Sequence, residues 1–196
     1  MKIFRKGWQT LIRYRWWLSH PRASDPDRII AEYDRAIVHA PDDPTAYYHR
    51  GVAYAEKGDL DRAVADYDQA IALKSDYADV YVSRGNAYAE RGKLERAMID
   101  YEQAISLQPD NPAAYYNRGN AFADQGDLDR AIVDWTMTLV FCPDDAVAYC
   151  NRGRAHILKD DLDRAIVDFY KVLEISRDPA LRQQVREFLR ALGGNP

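Results

Sequence analysis

The chain has 196 residues, 47% hydrophobic and 30% charged, with a formal net charge of −4. Its length suits one domain or two small ones, its mild acidity disfavours a nucleic-acid partner, and no uninterrupted apolar run is long enough to cross a bilayer. The two cysteines, Cys142 and Cys150, have neither metal-ligand nor redox spacing, which fits reduced thiols in a cytoplasmic setting.

Residues 1–22 are predicted to form an amphipathic segment. At helical spacing Phe4, Trp8, Leu11, Ile12 and Leu18 share a face, and Lys2, Lys6 and Arg13 lie roughly opposite. With Arg5, Arg15 and Arg22 the segment holds six cations and no acid, which leaves −10 for the rest of the chain. Arg13 and Arg15 interrupt any signal-peptide core, and many Trp with little Ser fit a mitochondrial presequence badly. Two readings stay open. The segment is a docking element that presents Phe4, Trp8, Trp16, Trp17, Lys2, Lys6 and Arg13 to a membrane surface or a large complex. Alternatively, residues 10–20 form a degenerate first helix that caps the helices downstream.

Residues 23–43 read as half of a unit. A helix is expected over 26–40, with Tyr33, Ala36 and Pro41 in phase with the residues downstream. From there the chain repeats every 34 residues, in units at 44–77, 78–111, 112–145 and 146–179. Arg-Gly recurs at 50–51, 84–85, 118–119 and 152–153. Tyr47, Tyr81, Tyr115 and Tyr149 hold the fourth position, and Tyr54, Tyr88, Phe122 and His156 the eleventh. Ala63, Ala97, Ala131 and Ala165 hold the twentieth, and Tyr67, Tyr101, Trp135 and Phe169 the twenty-fourth. A fixed period of this size marks stacked supersecondary units rather than a globule with one cleft.

Each unit reads as two helices, A and B, because the apolar and small residues recur at spacings of three and four. Gly58-Asp59-Leu60-Asp61, its counterpart at 126–129, and Gly92-Lys93-Leu94-Glu95 part the two helices. The glycine suits a left-handed cap and the aspartate an N-cap. Pro-Asp-Asp-Pro at 41–44 and Pro-Asp-Asn-Pro at 109–112 separate units, since proline suits a first helical turn. The small residues at positions eight and twenty are expected to let helices A and B approach closely. An Asp stands at position twenty-three of every unit, which predicts the pairs Arg50–Asp66, Arg84–Asp100, Arg118–Asp134 and Arg152–Asp168. As exposed pairs these contribute about 0–1 kcal/mol each. Residues 180–196 form a terminal helix and tail, with Leu181, Val185, Phe188, Leu189 and Leu192 on one face and Arg182, Arg186 and Arg190 on another. Gly193-Gly194-Asn195-Pro196 ends it.

This set of residue types, in phase over 44–179 and in part over 26–43, resembles the tetratricopeptide-repeat (TPR) family. Arg at position seven departs from the family's usual Leu. Trp17 stands where the family's small residue belongs. The resemblance implies an all-α solenoid, a right-handed superhelix of antiparallel helix pairs, that acts as a non-enzymatic scaffold or assembly adaptor. Such close likeness between units is common in bacterial members. The alternative role is a peripheral membrane or complex-bound subunit, cytoplasmic or on the cytoplasmic face of the membrane, anchored by residues 1–22.

The family's concave face, carried over position by position, falls on Tyr48, His49, Val52, Asn86, Tyr116, Asn117, Asn120, Asn151 and Arg154. Asn amides suit a peptide backbone, and Tyr48 and Tyr116 offer flat contact with a polar tip. Glu56, Glu90 and Asp124 make one edge acidic, so the expected partner is a protein offering a basic or neutral extended segment. Some members hold a chaperone's terminal carboxylate with two Asn and three basic residues. Asn86 and Asn117 match, but Val82, Val147 and Asn151 occupy the basic positions, so that partner class is not expected. No phosphate loop, metal-ligand cluster or catalytic dyad is legible, so neither cofactor nor metal is expected. His156 occupies an aromatic core position, which predicts a buried structural role.

Overall fold

A computed structural model describes residues 25–193, and every regular element among them is an α-helix. In chain order these are α1 (Pro26–His39), α2 (Pro44–Glu56), α3 (Leu60–Leu73), α4 (Ala78–Glu90), α5 (Leu94–Leu107), α6 (Pro112–Asp124), α7 (Leu128–Phe141), α8 (Ala146–Leu158), α9 (Leu162–Ile175) and α10 (Pro179–Ala191). The expectations placed on Lys2, Phe4, Lys6, Trp8, Arg13, Trp16 and Trp17, and on Gly194–Pro196, lie outside the described residues. The described chain divides into two compact units, residues 25–117 and 118–193, with the boundary inside α6.

Local chemistry sets the helix ends. Asp25, Asp43 and Asp178 accept from the backbone N–H two residues on, and each is followed by a proline in the first turn. Asp59, Asp127 and Asp161 cap α3, α7 and α9 by accepting from the N–H groups of Arg62, Arg130 and Arg164. Lys93 holds the same place before α5 and makes no side-chain cap. Gly58, Gly92 and Gly126 turn the chain from helix A to helix B with φ of +79°, +71° and +84°. In the fourth repeat Asp160 takes this position at φ +62°, a conformation that a short polar side chain tolerates better than most.

In the N-terminal unit α2 packs on α3 and α4 on α5. Ala63 and Ala97 are fully buried at these contacts, with Tyr67 and Tyr101 beside them. The position-eight glycine is the point of closest approach. A Cβ added at Gly51 would lie 2.7 Å from Tyr67 Cε1, and one at Gly85 2.6 Å from Tyr101 Cε1, with the Ala63 and Ala97 carbonyl oxygens each at 3.2 Å. The expectation that the small residues face each other is thereby refined. The glycine makes room first for an aromatic ring sixteen residues on, and then for the alanine backbone.

α1 packs against α2 but buries none of its residues. Its counterpart one period later, α3, buries Ala63, Val64, Asp66, Tyr67 and Ala70. In the C-terminal unit α8 packs on α9 and α9 on α10. Leu181, Val185, Phe188 and Leu189 close a core with Cys150, Ala165, Phe169 and Val172, and Leu192 packs against its edge. Arg182 donates to the carbonyl oxygens of Leu173 and Ser176, satisfying acceptors left over at the end of α9.

Arg at position seven joins neighbouring repeats. Arg84 donates from Nε and Nη2 to both Asp100 oxygens at 2.9 and 2.7 Å, and from Nη1 to Asp68 of the preceding repeat at 2.6 Å. Arg50 does the same with Asp66 and Asp34. Arg152 pairs with Asp168 through Nε and Nη2 and donates from Nη1 to Thr136 Oγ1 at 3.0 Å. Arg118 forks onto Asp134 at 2.8 and 2.9 Å. All four predicted pairs are present, but they are not the exposed pairs anticipated: Asp100, Asp134 and Asp168 are each 2% exposed. The aromatics at positions four and eleven explain part of this shelter. Tyr81 and Tyr88 flank the Arg84 guanidinium at 5.5 and 6.0 Å, and Tyr47 and Tyr54 flank that of Arg50.

A second set of cations links the A–B turns. Lys57 pairs with Asp27, Arg91 with Asp61 at 2.6 Å, and Lys159 with Asp129. Gln125 stands at the corresponding place in the third repeat.

Candidate interaction surface

In the N-terminal unit two of the predicted helix-A positions, Tyr48 and His49, join Tyr33 of the helix-B element α1 and Tyr77 at the N-cap of α4, neither of them among the expected contact residues, in an aromatic ribbon. Tyr33 of α1 stacks on His49 of α2, with centroids 5.3 Å apart and planes 21° apart. His49 meets Tyr48 at 5.1 Å, and Tyr48 meets Tyr77 at 5.3 Å and the buried Tyr67 at 6.2 Å. Tyr33, Tyr48, His49 and Tyr77 are half-buried, so part of each ring faces outward. The carboxylates of Glu32, Asp43 and Asp79 are exposed around them. Burial, and then Glu32 and Asp43, raise the Tyr33 phenol above its ordinary value. For Tyr77 the causes are burial, then Tyr48, Asp79 and Asp43. The ribbon therefore combines ring faces with a negative field, and Lys74 already lies 5.0 Å above the Tyr77 ring.

Val52, also expected on this face, is buried. Asn86 is half-buried and accepts from the Tyr101 hydroxyl at 2.9 Å. Tyr116 and Asn117 are both buried, Tyr116 almost completely.

The C-terminal unit gives the same positions a different character. Asn120 and Asn151 are fully buried, and Arg154 nearly so. Asn151 Nδ2 donates to Asn120 Oδ1 at 3.2 Å, and that oxygen also accepts from Trp135 Nε1 at 3.1 Å. In two repeats, therefore, the position-nine Asn serves the polar tip of the position-twenty-four aromatic: Tyr101 in one, Trp135 in the other. The fourth repeat has Phe169, which has no donor, and Arg154 replaces the Asn. The first repeat sets Val52 opposite Tyr67, so the two positions do not vary together along the whole repeat, and the pairing reads as chemistry only once helix A and helix B face each other.

His156 is buried, and its Nδ1 lies 3.8 Å from Asp161. Desolvation pushes its pKa below the ordinary value, against the pull of Asp168 and Asp161. Burial pushes the Cys150 thiol up to about 12, so it stays protonated and inert at neutral pH. Among the described residues no group of three His, Cys, Asp or Glu is placed to hold a metal ion, and no helix is long and apolar enough to cross a membrane.

Family models carry the assignment from geometry to kinship. A model described as TPR repeat matches residues 30–58, 53–90 and 85–126, and one described as tetratricopeptide repeat matches 146–179. The chain belongs to the tetratricopeptide-repeat family. TPR units generally act as non-catalytic scaffolds for protein–protein interaction, and the fold is an all-α TPR solenoid. Among solved structures, MamA is 26% identical with a TM-score of 0.71, over 76% of this chain and 88% of that one. A MamA chain from Desulfovibrio magneticus RS-1 is 24% identical with a TM-score of 0.71, over 90% and 94%. YrrB, a TPR protein described as having an unusual peptide-binding site, is 23% identical with a TM-score of 0.67, over 83% and 84%. No curated protein sequence matches the chain.

Proposed function

We propose that this TPR protein is a non-enzymatic adaptor that holds a basic, extended segment of another protein against the helix-A face of its N-terminal unit. The observation that carries this reading is the ribbon of Tyr33, His49, Tyr48 and Tyr77, half-open and ringed by Glu32, Asp43 and Asp79. Flat rings bind the aliphatic stems and charged heads of Arg and Lys, and the carboxylates select the sign of charge. Half-buried Asn86 extends the candidate contact within the same unit, whereas Tyr116 and Asn117, expected as contacts, are buried and do not offer a ring face or an amide to a partner. Asn120, Asn151 and Arg154 are buried within the C-terminal unit and are not points of contact in this reading. The two free cysteines fit work in a reducing cytoplasm.

The test is titration calorimetry with synthetic ten-residue peptides of basic, neutral and acidic composition. The basic peptide is expected to bind with an affinity that falls as salt rises. Equal affinity for all three peptides would sink the reading.

A further inference from the structure

We infer that the chain's own basic N-terminal segment occupies this ribbon as a tethered ligand, with Arg13, Arg15, Arg22, Trp16 and Trp17 lying against Tyr33, His49, Tyr48 and Tyr77. The inference rests on the reading of that face as a site for basic segments, and adds how access to it is regulated.

Three observations converge. Charge complementarity is the first. Residues 1–22 carry six cations and no acid, and the ribbon is ringed by exposed Glu32, Asp43 and Asp79. Position is the second. The segment ends three residues before Asp25, the N-cap of the helix that supplies Tyr33. Tyr33 lies seven residues into α1, about 11 Å along its axis, whereas residues 13–22 can span roughly 33 Å when extended. The tether is therefore long enough to turn back over the ribbon. The third is the open state of α1. Tyr33 and Ala36 are only half-buried, while Tyr67 and Ala70, their counterparts one period on, are buried. The array thus begins with apolar surface that the next repeats cover and this one leaves to a further segment. The chain also uses the proposed contact elsewhere: Arg62 lies 4.4 Å above the Tyr54 ring and Arg130 4.2 Å above that of Phe122.

Tethering fixes the consequence. A short tether sets an effective concentration on the order of 1 mM, so even a tail with a free-peptide Kd of about 50 μM fills the face most of the time. A basic partner must then displace it, and its apparent affinity falls by the occupied share, about 20-fold.

The experiment compares the full chain with the full chain carrying Arg13→Gln, Arg15→Gln and Arg22→Gln. Two probes are titrated calorimetrically: a synthetic peptide of residues 1–22 and an unrelated Arg-Gly alternating peptide. Both are expected to bind the neutralised chain at least about 10-fold more tightly than the unaltered one. Adding Asp43→Asn and Asp79→Asn, which keep the cap and the fold, is expected to erase that difference. Equal, measurable binding of the unrelated peptide by both chains overturns the tethered ligand while leaving the basic-segment site standing. Failure of both chains to bind either peptide overturns both. The ring resonances of Tyr33, Tyr48 and Tyr77 should differ between the two chains at every protein concentration. A difference that vanishes on dilution would place the tail on a second copy and overturn the tether.

Discussion

The helix-A faces of the two units use one geometry for opposite ends. At position six the first repeat, in the N-terminal unit, has His49, half-open and stacked on Tyr33, whereas the fourth repeat, in the C-terminal unit, has Asn151, fully buried and bonded to Asn120. At position nine, half-buried Asn86 serves the Tyr101 hydroxyl, while fully buried Asn120 serves the Trp135 indole. The repeat period holds the backbone and the A–B contact constant. Side chains free of that duty can then either complete an internal network or face outward. Repeat position alone therefore does not tell a binding residue from a structural one.

The largest test of the contrast is the Arg staple. Arg84→Leu restores the family's usual residue but leaves Asp100 buried without its guanidinium, at a cost of about 3–5 kcal/mol. Arg152→Leu should cost about 0–1 kcal/mol less, because its second partner is neutral Thr136 rather than a carboxylate like Asp68. Urea unfolding of both variants measures the difference, and a greater loss at Arg152 would contradict it.

Next comes the glycine contact. Gly85→Ala places a methyl 2.6 Å from the buried Tyr101 ring, and overpacking of this kind costs about 1–3 kcal/mol, only partly offset by about 1 kcal/mol of helix propensity. Gly119→Ala meets Trp135 at 3.0 Å and should cost less. Thermal unfolding orders the two, and a net gain at Gly85 would show that the ring yields.

The polar tips sharpen the contrast further. Tyr101→Phe leaves a half-buried Asn86 that water can reach, at about 0.5–1.5 kcal/mol. Trp135→Phe removes a donor from fully buried Asn120 and also leaves a void, so its cost should be larger, about 2 kcal/mol or more. Equal losses would mean that the two amides are equally solvated.

The smallest effect is the pH response of the C-terminal unit. Because folding lowers the His156 pKa, the unfolded chain takes up this proton more readily. Its contribution to stability is therefore present above the unfolded value near 6.5 and is lost as pH falls below it. His156→Phe, which restores an aromatic at position eleven, should flatten the fall in Tm between about pH 7.5 and 5.5. An unchanged slope would assign the effect to other groups.

Much of the scaffold was legible along the chain because each rule that sets it is local or strictly periodic. Asp caps, glycine turns and the Arg–Asp interval of sixteen all survive reading in one dimension. What escaped was burial. The Asp at position twenty-three reads as a surface charge until Tyr81 and Tyr88 are seen to flank its partner. Asn120 and Asn151 read as groove amides until a buried Trp135 is seen to donate to one of them.

The helices, their ends and the family are written in the chain alone, because 3.6-residue periodicity and a 34-residue repeat are properties of one dimension. Which of the repeated side chains turn outward was settled only by packing. Solvent exposure depends on neighbours sixteen and thirty-one residues away, and those distances close only when helix packs on helix.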